Sequence, residues 1–232
     1  MLDLLRGEMR TLCDPEKARV MQRFFKTGPG QYGQGDVFIG ITVPASRQVA
    51  KKYSAEIPLA DVKTLLQSQI HEERLVALLI LVQKYPGDPK GTAKFYLANL
   101  ARVNNWDLVD LTAPSILGAF LLGSKDHSIL YRLARSKVLW KRRVSIVSTH
   151  AFISKNDFAD ALKISEMLLG DPHDLMHKAV GWMLREVGKR DPAAEEGFLK
   201  QHYKDMPRTA LRYAIERFSA DKKRAYMQGT II

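Results

Sequence analysis

The sequence predicts an all-α fold in which antiparallel helix pairs stack into a superhelical solenoid. Three observations support this prediction. Apolar residues recur with helical spacing through most of the chain. No stretch alternates apolar and polar residues as a half-buried strand would, and no β-hairpin signal appears. A basic residue followed by an apolar run recurs with a period in the mid-thirties, which is typical of repeats made of two helices.

The apolar spacing predicts individual helices along the chain. Val62, Leu65 and Leu66 share one face of an early helix, and residues 158–169 repeat that pattern. A broad apolar stripe predicts a further helix over residues 175–189. Glycine and proline mark the expected ends of these helices.

The internal repeat is visible in its pattern rather than in residue identity. Arg143 and Lys178 are 35 residues apart, and Lys178 and Arg212 are 34 apart. Arg74 precedes Arg143 by 69 residues, about two repeats, so a further copy is expected near Val109. Equivalent helices would then stack side by side and line one concave surface. The residues expected roughly in register along it are Arg74, Asp110, Arg143, Lys178 and Arg212.

The composition favours a polyanionic partner or an acidic membrane surface. Lys and Arg number 36 against 25 Asp and Glu, which gives a formal charge of +11. A generally basic protein without such a partner is the alternative. The single cysteine, Cys13, excludes an intrachain disulfide and indicates a reducing compartment. No signal peptide is recognisable, and the longest apolar run, residues 75–82, is too short to span a bilayer.

Trp106 and Asp110 form the first candidate site. They are four residues apart, so a helix places them on one face. Asn104 or Asn105 is a suitable N-cap, and Pro114 is expected to kink or restart the helix beyond Asp110. The pair has two interpretations: a catalytic carboxylate beside a tryptophan of the same site, or a core tryptophan beside an acid that lies on the surface or pairs with an arginine.

A basic helix forms the second candidate site. At about 100° per residue, four of its residues fall in a narrow arc at the edge of the apolar stripe: Lys178, Trp182, Arg185 and Lys189. Cations in this arc can neutralise phosphates, and the indole can pack on a sugar or a base. A solvated basic face with a half-buried tryptophan would give the same pattern.

Arg143 lies between apolar flanks on its predicted helix. A guanidinium in such a place requires an anion, which is either Asp110 of the neighbouring repeat or a phosphate. The adjacent Arg142 is expected to point elsewhere.

Cofactor and metal motifs are not convincing. Residues 28–33 match G-x-G-x-x-G, but no strand precedes them, a proline lies inside them and no βαβ unit follows. The six histidines show no tight ligand spacing. No motif for a serine or cysteine nucleophile appears. We therefore expect neither a cofactor nor a metal, and we interpret residues 28–33 as a flexible loop.

At these residues the chain resembles the bacterial alkylpurine DNA glycosylases built from HEAT-like repeats, the AlkD family. The resemblance runs from about Pro15 to Phe218. It is carried by FIGI at residues 38–41 with Pro44 and Arg47, NWDLVD at 105–110, the arginine pair at 142–143, KAVGWMLRE at 178–186 and LRYAI at 211–215.

The resemblance implies a role for each candidate residue. Asp110 is implied to be the catalytic carboxylate, with Trp106 and Trp182 as the aromatic walls of the site. Contacts with DNA are implied for Arg143, and for Arg185 and Lys189 on a DNA-facing helix. Two positions depart from the family pattern: Asn105 stands where many members have a second tryptophan, and Phe24 stands where some have a tyrosine.

The family removes cationic N3- and N7-alkylated purines, and it need not draw a flipped base into a pocket, unlike most glycosylases. The resemblance thus implies a metal-free, monofunctional DNA glycosylase of base excision repair that acts on double-stranded DNA. We expect one HEAT-like repeat domain over residues 1–232, a monomer with a concave DNA-binding face, and a cytoplasmic, nucleoid-associated protein. Two alternatives remain: a non-enzymatic HEAT-like protein that recognises distorted or branched DNA, and a protein-interaction scaffold.

Overall fold

The computed structural model describes residues 1–231, and their regular structure is helical. Within this range the β-type contact is an isolated bridge between Val37 and Ile70. The predicted all-α class is therefore confirmed. The chain forms two compact units, Met1–Thr112 and the part that begins at Ala113. That the whole chain acts as one domain stays a prediction.

The first unit contains seven α-helices among the described residues. They are α1 (Leu2–Thr11), α2 (Pro15–Phe24), α3 (Val43–Tyr53), α4 (Leu59–Leu66), α5 (His71–Lys84), α6 (Pro89–Ala98) and α7 (Trp106–Asp110). A short 3₁₀ helix, Leu100–Arg102, precedes α7.

Helix α5 is the centre of the first unit. It packs against α3, α4, α6 and α7, and its residues 75–81 are all buried. Four residues join α4 to α5, and so short a link makes these two packed helices antiparallel. Packing of an antiparallel helix pair against the helices before and after it agrees with the predicted solenoid.

The second unit begins with a π-helical turn, Pro114–Gly118, so the helix does restart at Pro114 as the sequence predicted. Its α-helices are α8 (Ala119–Leu121), α9 (Ser128–Ala134), α10 (Leu139–Ser148), α11 (His150–Ile153), α12 (Ala159–Met167), α13 (Asp174–Arg190), α14 (Pro192–His202), α15 (Arg208–Ala214) and α16 (Ala220–Gln228). A 3₁₀ turn, Ile215–Arg217, follows α15.

Helix α13 is the centre of the second unit and packs against α10, α12, α14 and α15. Its bounds differ by one residue at each end from the predicted 175–189. Gly181 allows α15 to approach closely, because a Cβ at this position would lie 2.3 Å from the carbonyl oxygen of Ala210. The broad apolar stripe is therefore the buried face of α13.

The predicted repeat positions occupy equivalent places in their helices. Asp110, Arg143, Lys178 and Arg212 are each the fifth residue of α7, α10, α13 and α15, and Arg74 is the fourth residue of α5. Residues that are one repeat apart in the sequence therefore occupy the same, or nearly the same, position in their helices. Their surroundings differ, since Arg74 and Arg143 are buried whereas Arg212 is exposed.

Three further features concern residues 1–231. No helix in this range is long and apolar enough to cross a membrane. The same residues contain no group of three or more His, Cys, Asp or Glu side chains arranged to hold a metal ion. Residues 28–35 form a series of turns, in which Gly30 and Gly35 have positive φ angles.

Candidate nucleic-acid interface

The short helix α7 carries the first candidate residues. Asn105 caps it, since its side-chain oxygen accepts a hydrogen bond of 2.8 Å from the amide of Trp106. The amide nitrogen of the same side chain donates to Asp36 Oδ2 at 3.1 Å. A helix of five residues is too short to be stable by itself. Its position is therefore set by such contacts with the rest of the first unit.

Trp106 and Asp110 are both half-buried and lie one turn apart on α7. The indole of Trp106 stacks on Phe25, with ring centroids 5.0 Å apart and planes at 5°. Phe24 contacts the same indole edge-on at 5.9 Å. The Phe24 side chain is 65% exposed. The first unit thus brings three sequence-predicted residues, Phe24, Trp106 and Asp110, into one neighbourhood.

The negative charge of Asp110 affects the pKa of the buried Tyr96. Burial is the main cause that raises the pKa of Tyr96, and the Asp110 carboxylate raises it further. The Tyr96 hydroxyl is 3.2 Å from that of Thr112, which donates to the carbonyl of Leu108 at 2.5 Å. A neutral, hydrogen-bonded phenol therefore supports the C-terminal end of α7.

A buried polar network lies directly behind α7. The ring of His71 bridges two carboxylates, with Nδ1 3.1 Å from Asp36 Oδ2 and Nε2 2.7 Å from Asp107 Oδ2. Arg74 donates to the other oxygen of Asp36 at 2.7 Å. All four side chains are buried. Buried charges are tolerated when they are paired in this way.

The network shifts the pKa values of His71 and Asp36. Burial alone would lower the pKa of His71, but hydrogen bonds to Asp107 and Asp36 outweigh it, so the pKa is raised. Burial alone would raise the pKa of Asp36, yet the hydrogen bond from His71 and the charge of Arg74 hold it below its ordinary value. Both shifts favour the charged forms.

Stacked rings connect this network to the candidate site. The imidazole of His71 stacks on Phe38 at 4.4 Å and 21°, and Phe38 stacks on Phe25 at 4.7 Å and 28°. Phe25 in turn carries the indole of Trp106. The orientation of Trp106 is therefore determined by a column of rings that ends at a buried histidine.

The sequence interpretation missed this network. His71 and Arg74 are one turn apart on α5, but no local spacing relates them to residues 36 and 107. One signal was present: His71, Glu72, Glu73 and Arg74 are four consecutive polar residues that open an otherwise apolar helix. Since α5 is buried on every side, each of them needs a partner. Glu72 accepts hydrogen bonds from the amides of residues 39–41, and Glu73 forms a two-bond pair with Arg6.

In the second unit, α13 presents the predicted basic arc. The indole nitrogen of Trp182 donates to Glu186 Oε1 at 3.0 Å, and Lys189 contacts the same oxygen at 2.6 Å. His150 lies 6.1 Å from the Trp182 ring, and burial lowers the pKa of this histidine. A neutral histidine and a paired glutamate thus flank Trp182.

The other two cations of this arc, Lys178 and Arg185, are also paired with acids. Lys178 contacts Asp174 at 2.8 Å, and Arg185 forms an ion pair with Glu216. The side chains of Lys178 and Lys189 are 39% and 37% exposed. These are surface pairs in contact with water, which individually contribute little to stability. They can exchange their carboxylates for other anions.

The two neighbouring arginines of α10 have different surroundings. Arg142 binds both carboxylate oxygens of Asp171, at 2.5 and 3.2 Å, so it does point elsewhere, as the sequence suggested. Arg143 is only 5% exposed, and its Nη1 donates to the carbonyl of Leu175 at 2.5 Å. Arg143 therefore supports the first turn of α13, the helix that carries Lys178 and Trp182.

Comparisons with known proteins agree with this architecture. A protein from Enterococcus faecalis described as a predicted DNA alkylation repair enzyme has a solved structure with the same fold. It superposes with a TM-score of 0.72 over 90% of this chain and 97% of its own, at 20% sequence identity. No curated protein matches the sequence significantly. The family model for DNA alkylation repair enzymes matches residues 5–218. The chain therefore belongs to the DNA alkylation repair enzyme family.

Proposed function

We propose that this protein is a monofunctional DNA glycosylase that excises cationic N3- and N7-alkylated purines from double-stranded DNA. Membership of the DNA alkylation repair enzyme family supports a role in the repair of alkylated DNA, and the proposal specifies the reaction. The observation that carries it is the position of Asp110, one turn from Trp106 and near the exposed ring of Phe24. A carboxylate beside exposed aromatic rings suits a positively charged reaction centre.

The charge of the substrate explains why one carboxylate suffices. Glycoside hydrolysis commonly uses one carboxyl group to protonate the leaving group and another to act at the sugar. An N7-alkylated purine already carries a positive charge, so it leaves without protonation. Asp110 then has one task at the sugar: it stabilises the developing oxocarbenium ion and orients the attacking water.

The tryptophans supply affinity for the charged nucleotide. An indole face attracts a cation by roughly 0.5–2 kcal/mol, with the larger values in dry surroundings. Trp106 has its orientation fixed by Phe25, and Trp182 has its nitrogen tethered to Glu186. Fixed rings lose little entropy when the lesion binds. Selectivity for cationic purines follows without a tight base pocket.

The basic side chains of the second unit are proposed to hold the DNA backbone. Lys178, Arg185 and Lys189 lie on α13 in ion pairs that phosphates can replace. Arg143 is proposed to support this surface, since its contact with Leu175 fixes the first turn of α13. The net charge of +11 favours association with DNA, and thus with the nucleoid, and the protein is proposed to act as a monomer.

The decisive experiment uses duplex DNA that contains 7-methylguanine. Wild-type protein is expected to release free 7-methylguanine, and Asp110→Asn to lose at least about 100-fold of that rate while DNA binding is retained. Asp221→Asn is the matched control, because this carboxylate is exposed on α16. If both wild type and Asp110→Asn bind DNA and neither releases base, the protein is a non-enzymatic DNA-binding member of the family.

A further inference from the structure

We infer that His71 is a positioning residue, which as a buried imidazolium fixes the orientation of α7 and thereby of Trp106 and Asp110. This inference rests on the proposed function and deepens it. His71 itself is buried, so it acts through the helix that carries the reacting groups rather than on the substrate.

Hydrogen-bond geometry favours donation from both ring nitrogens of His71, because Nδ1 lies closer to Asp36 Oδ2, at 3.1 Å, than to the competing donor Arg74 Nη2, at 3.4 Å. Nδ1 faces Asp36 at 3.1 Å and Nε2 faces Asp107 at 2.7 Å. Ionised carboxylates only accept hydrogen bonds, and a neutral imidazole has only one N–H. A neutral ring would therefore leave one of the two carboxylates facing a lone pair.

The charges of the four buried side chains, His71 included, balance only when His71 is protonated. From the loop before α3 it faces Asp36, from α7 it faces Asp107, and on its own helix it faces Arg74. Arg102, which donates to carbonyls of residues 66–68, adds a more distant positive charge that acts on Asp36. With His71 charged, two buried carboxylates meet two buried cations. Loss of the proton would leave one buried negative charge uncompensated.

Two connections carry this arrangement to the candidate site. The first is covalent: Asp107 is the second residue of α7, between Trp106 and the turn that ends at Asp110. Its other carboxylate oxygen accepts from the amide of Leu108 at 2.9 Å, so the carboxylate is held to the helix on one side and to His71 on the other. The second is the ring column from His71 through Phe38 and Phe25 to Trp106.

Two conservative variants, His71→Gln and His71→Asn, distinguish the hydrogen bond to Asp107 from the hydrogen bond to Asp36. The amide nitrogen of glutamine lies near the place of Nε2, so His71→Gln retains a donor for Asp107. The amide nitrogen of asparagine lies near the place of Nδ1, so His71→Asn retains a donor for Asp36 alone. We expect His71→Asn to lower kcat for release of 7-methylguanine by about 10- to 100-fold, because a displaced α7 misplaces Asp110. We expect KM to change less than about twofold, because backbone binding depends on the basic side chains of α13.

The two variants are compared at equal concentration after circular dichroism has established that both are folded. A kcat for His71→Gln that lies between those of wild type and His71→Asn supports the inference, since glutamine keeps the donor for Asp107 but not the positive charge. Equal loss in both variants, or a loss that appears in KM alone, overturns it.

A second measurement does not depend on catalysis. The ¹⁵N spectrum of the histidine side chains in the wild-type protein is recorded at about pH 7.5, where an ordinary histidine is mostly neutral. We expect both ring nitrogens of His71 to be protonated and His150 to be neutral in the same spectrum. A neutral His71 overturns the inference. If wild-type protein releases no base, the proposed function fails, and this spectrum still tests the state of His71.

Discussion

The two units hold their candidate residues in opposite ways. In the first unit, α7 has five residues and is held from outside by buried charges and stacked rings. In the second unit, α13 has 17 residues and holds its own side chains through surface pairs such as Lys178 with Asp174. A long helix with apolar contacts along one face needs no polar network to fix its position.

The difference between the units matches two different requirements: precise orientation of a carboxylate and affinity for phosphates. A carboxylate that stabilises a transition state must be placed to within a fraction of an ångström, and buried hydrogen bonds give such precision. Cations that bind phosphates tolerate small movements and must be free to exchange partners. Surface pairs of about 0–1 kcal/mol allow that exchange. Under the proposed function, the first unit therefore suits the chemical step and the second unit suits DNA binding.

The largest expected effect is the loss of Asp36. Asp36→Ala removes the partner of His71, Arg74 and Asn105 at once, and it leaves buried cations uncompensated. We expect the free energy of unfolding, measured with urea, to fall by about 3–5 kcal/mol. Glu166→Ala is the control, because this glutamate forms an exposed pair with Lys163 in the second unit. Equal losses in the two variants would contradict the contrast between the units.

A buried acid of the second unit gives the next prediction. Glu195 has no cation bound to it: its Oε1 lacks a hydrogen-bond partner among the described residues, and its carboxyl group lies against Gly188 of α13. Burial is the main cause that raises the pKa of Glu195 to about 8. The folded state then keeps a proton that the unfolded state has lost.

Stability should therefore fall as pH rises from the ordinary glutamate pKa of 4.5 towards about 8. Glu195→Gln removes this slope and raises the stability at pH 8, by an amount on the order of a few kcal/mol. Urea unfolding at several pH values measures it. Glu196→Gln is the control, since Glu196 is paired with Lys222. A pH slope that is equal in wild type and in Glu195→Gln would show that Glu195 is not its cause.

The stability of the second unit depends more on the close packing of α13 against α15 than on the charged side chains of α13. Gly181→Ala places a methyl group against the backbone of Ala210 on α15, so the helices must separate. We expect a loss of about 1–3 kcal/mol in the free energy of unfolding. Gly197→Ala on α14 is the matched control, because a Cβ there meets no atom within 4 Å. That variant should gain about 0.5–1 kcal/mol from helix propensity alone. Similar losses in both would mean that packing at Gly181 is not the cause.

The smallest expected effect concerns single cations of α13. Lys178→Ala and Lys189→Ala should each weaken binding to undamaged DNA modestly, and each should reduce the slope of log K against log salt by about one. Fluorescence anisotropy at several salt concentrations measures both quantities. Lys163→Ala, a substitution on α12 outside the proposed surface, should leave the slope unchanged. A slope unaltered in the two α13 variants would place the DNA elsewhere.

Local patterns predicted local structure well. The helix around Trp182, the Asn105 cap and the restart at Pro114 each depend on residues close in sequence, and each is present. The resemblance indicated Phe24, which does contact Trp106. The bridge from Asp36 through His71 to Asp107 was not predictable in this way: its spacings of 35 and 36 residues match the repeat period, but a period does not say which side chains of adjacent repeats meet. Finding it requires knowing which face of α5 meets which loop.

The exposed apolar side chains of α2 have a thermodynamic consequence. Val20 and Phe24 lie one turn apart and are 68% and 65% exposed, and α2 contains no buried residue. A duplex that covers them removes this surface from water, so association should show a negative change in heat capacity. Added salt weakens the phosphate contacts and leaves that contribution in place. Calorimetry at high salt should therefore detect a residual, temperature-dependent heat of binding that Phe24→Ser diminishes.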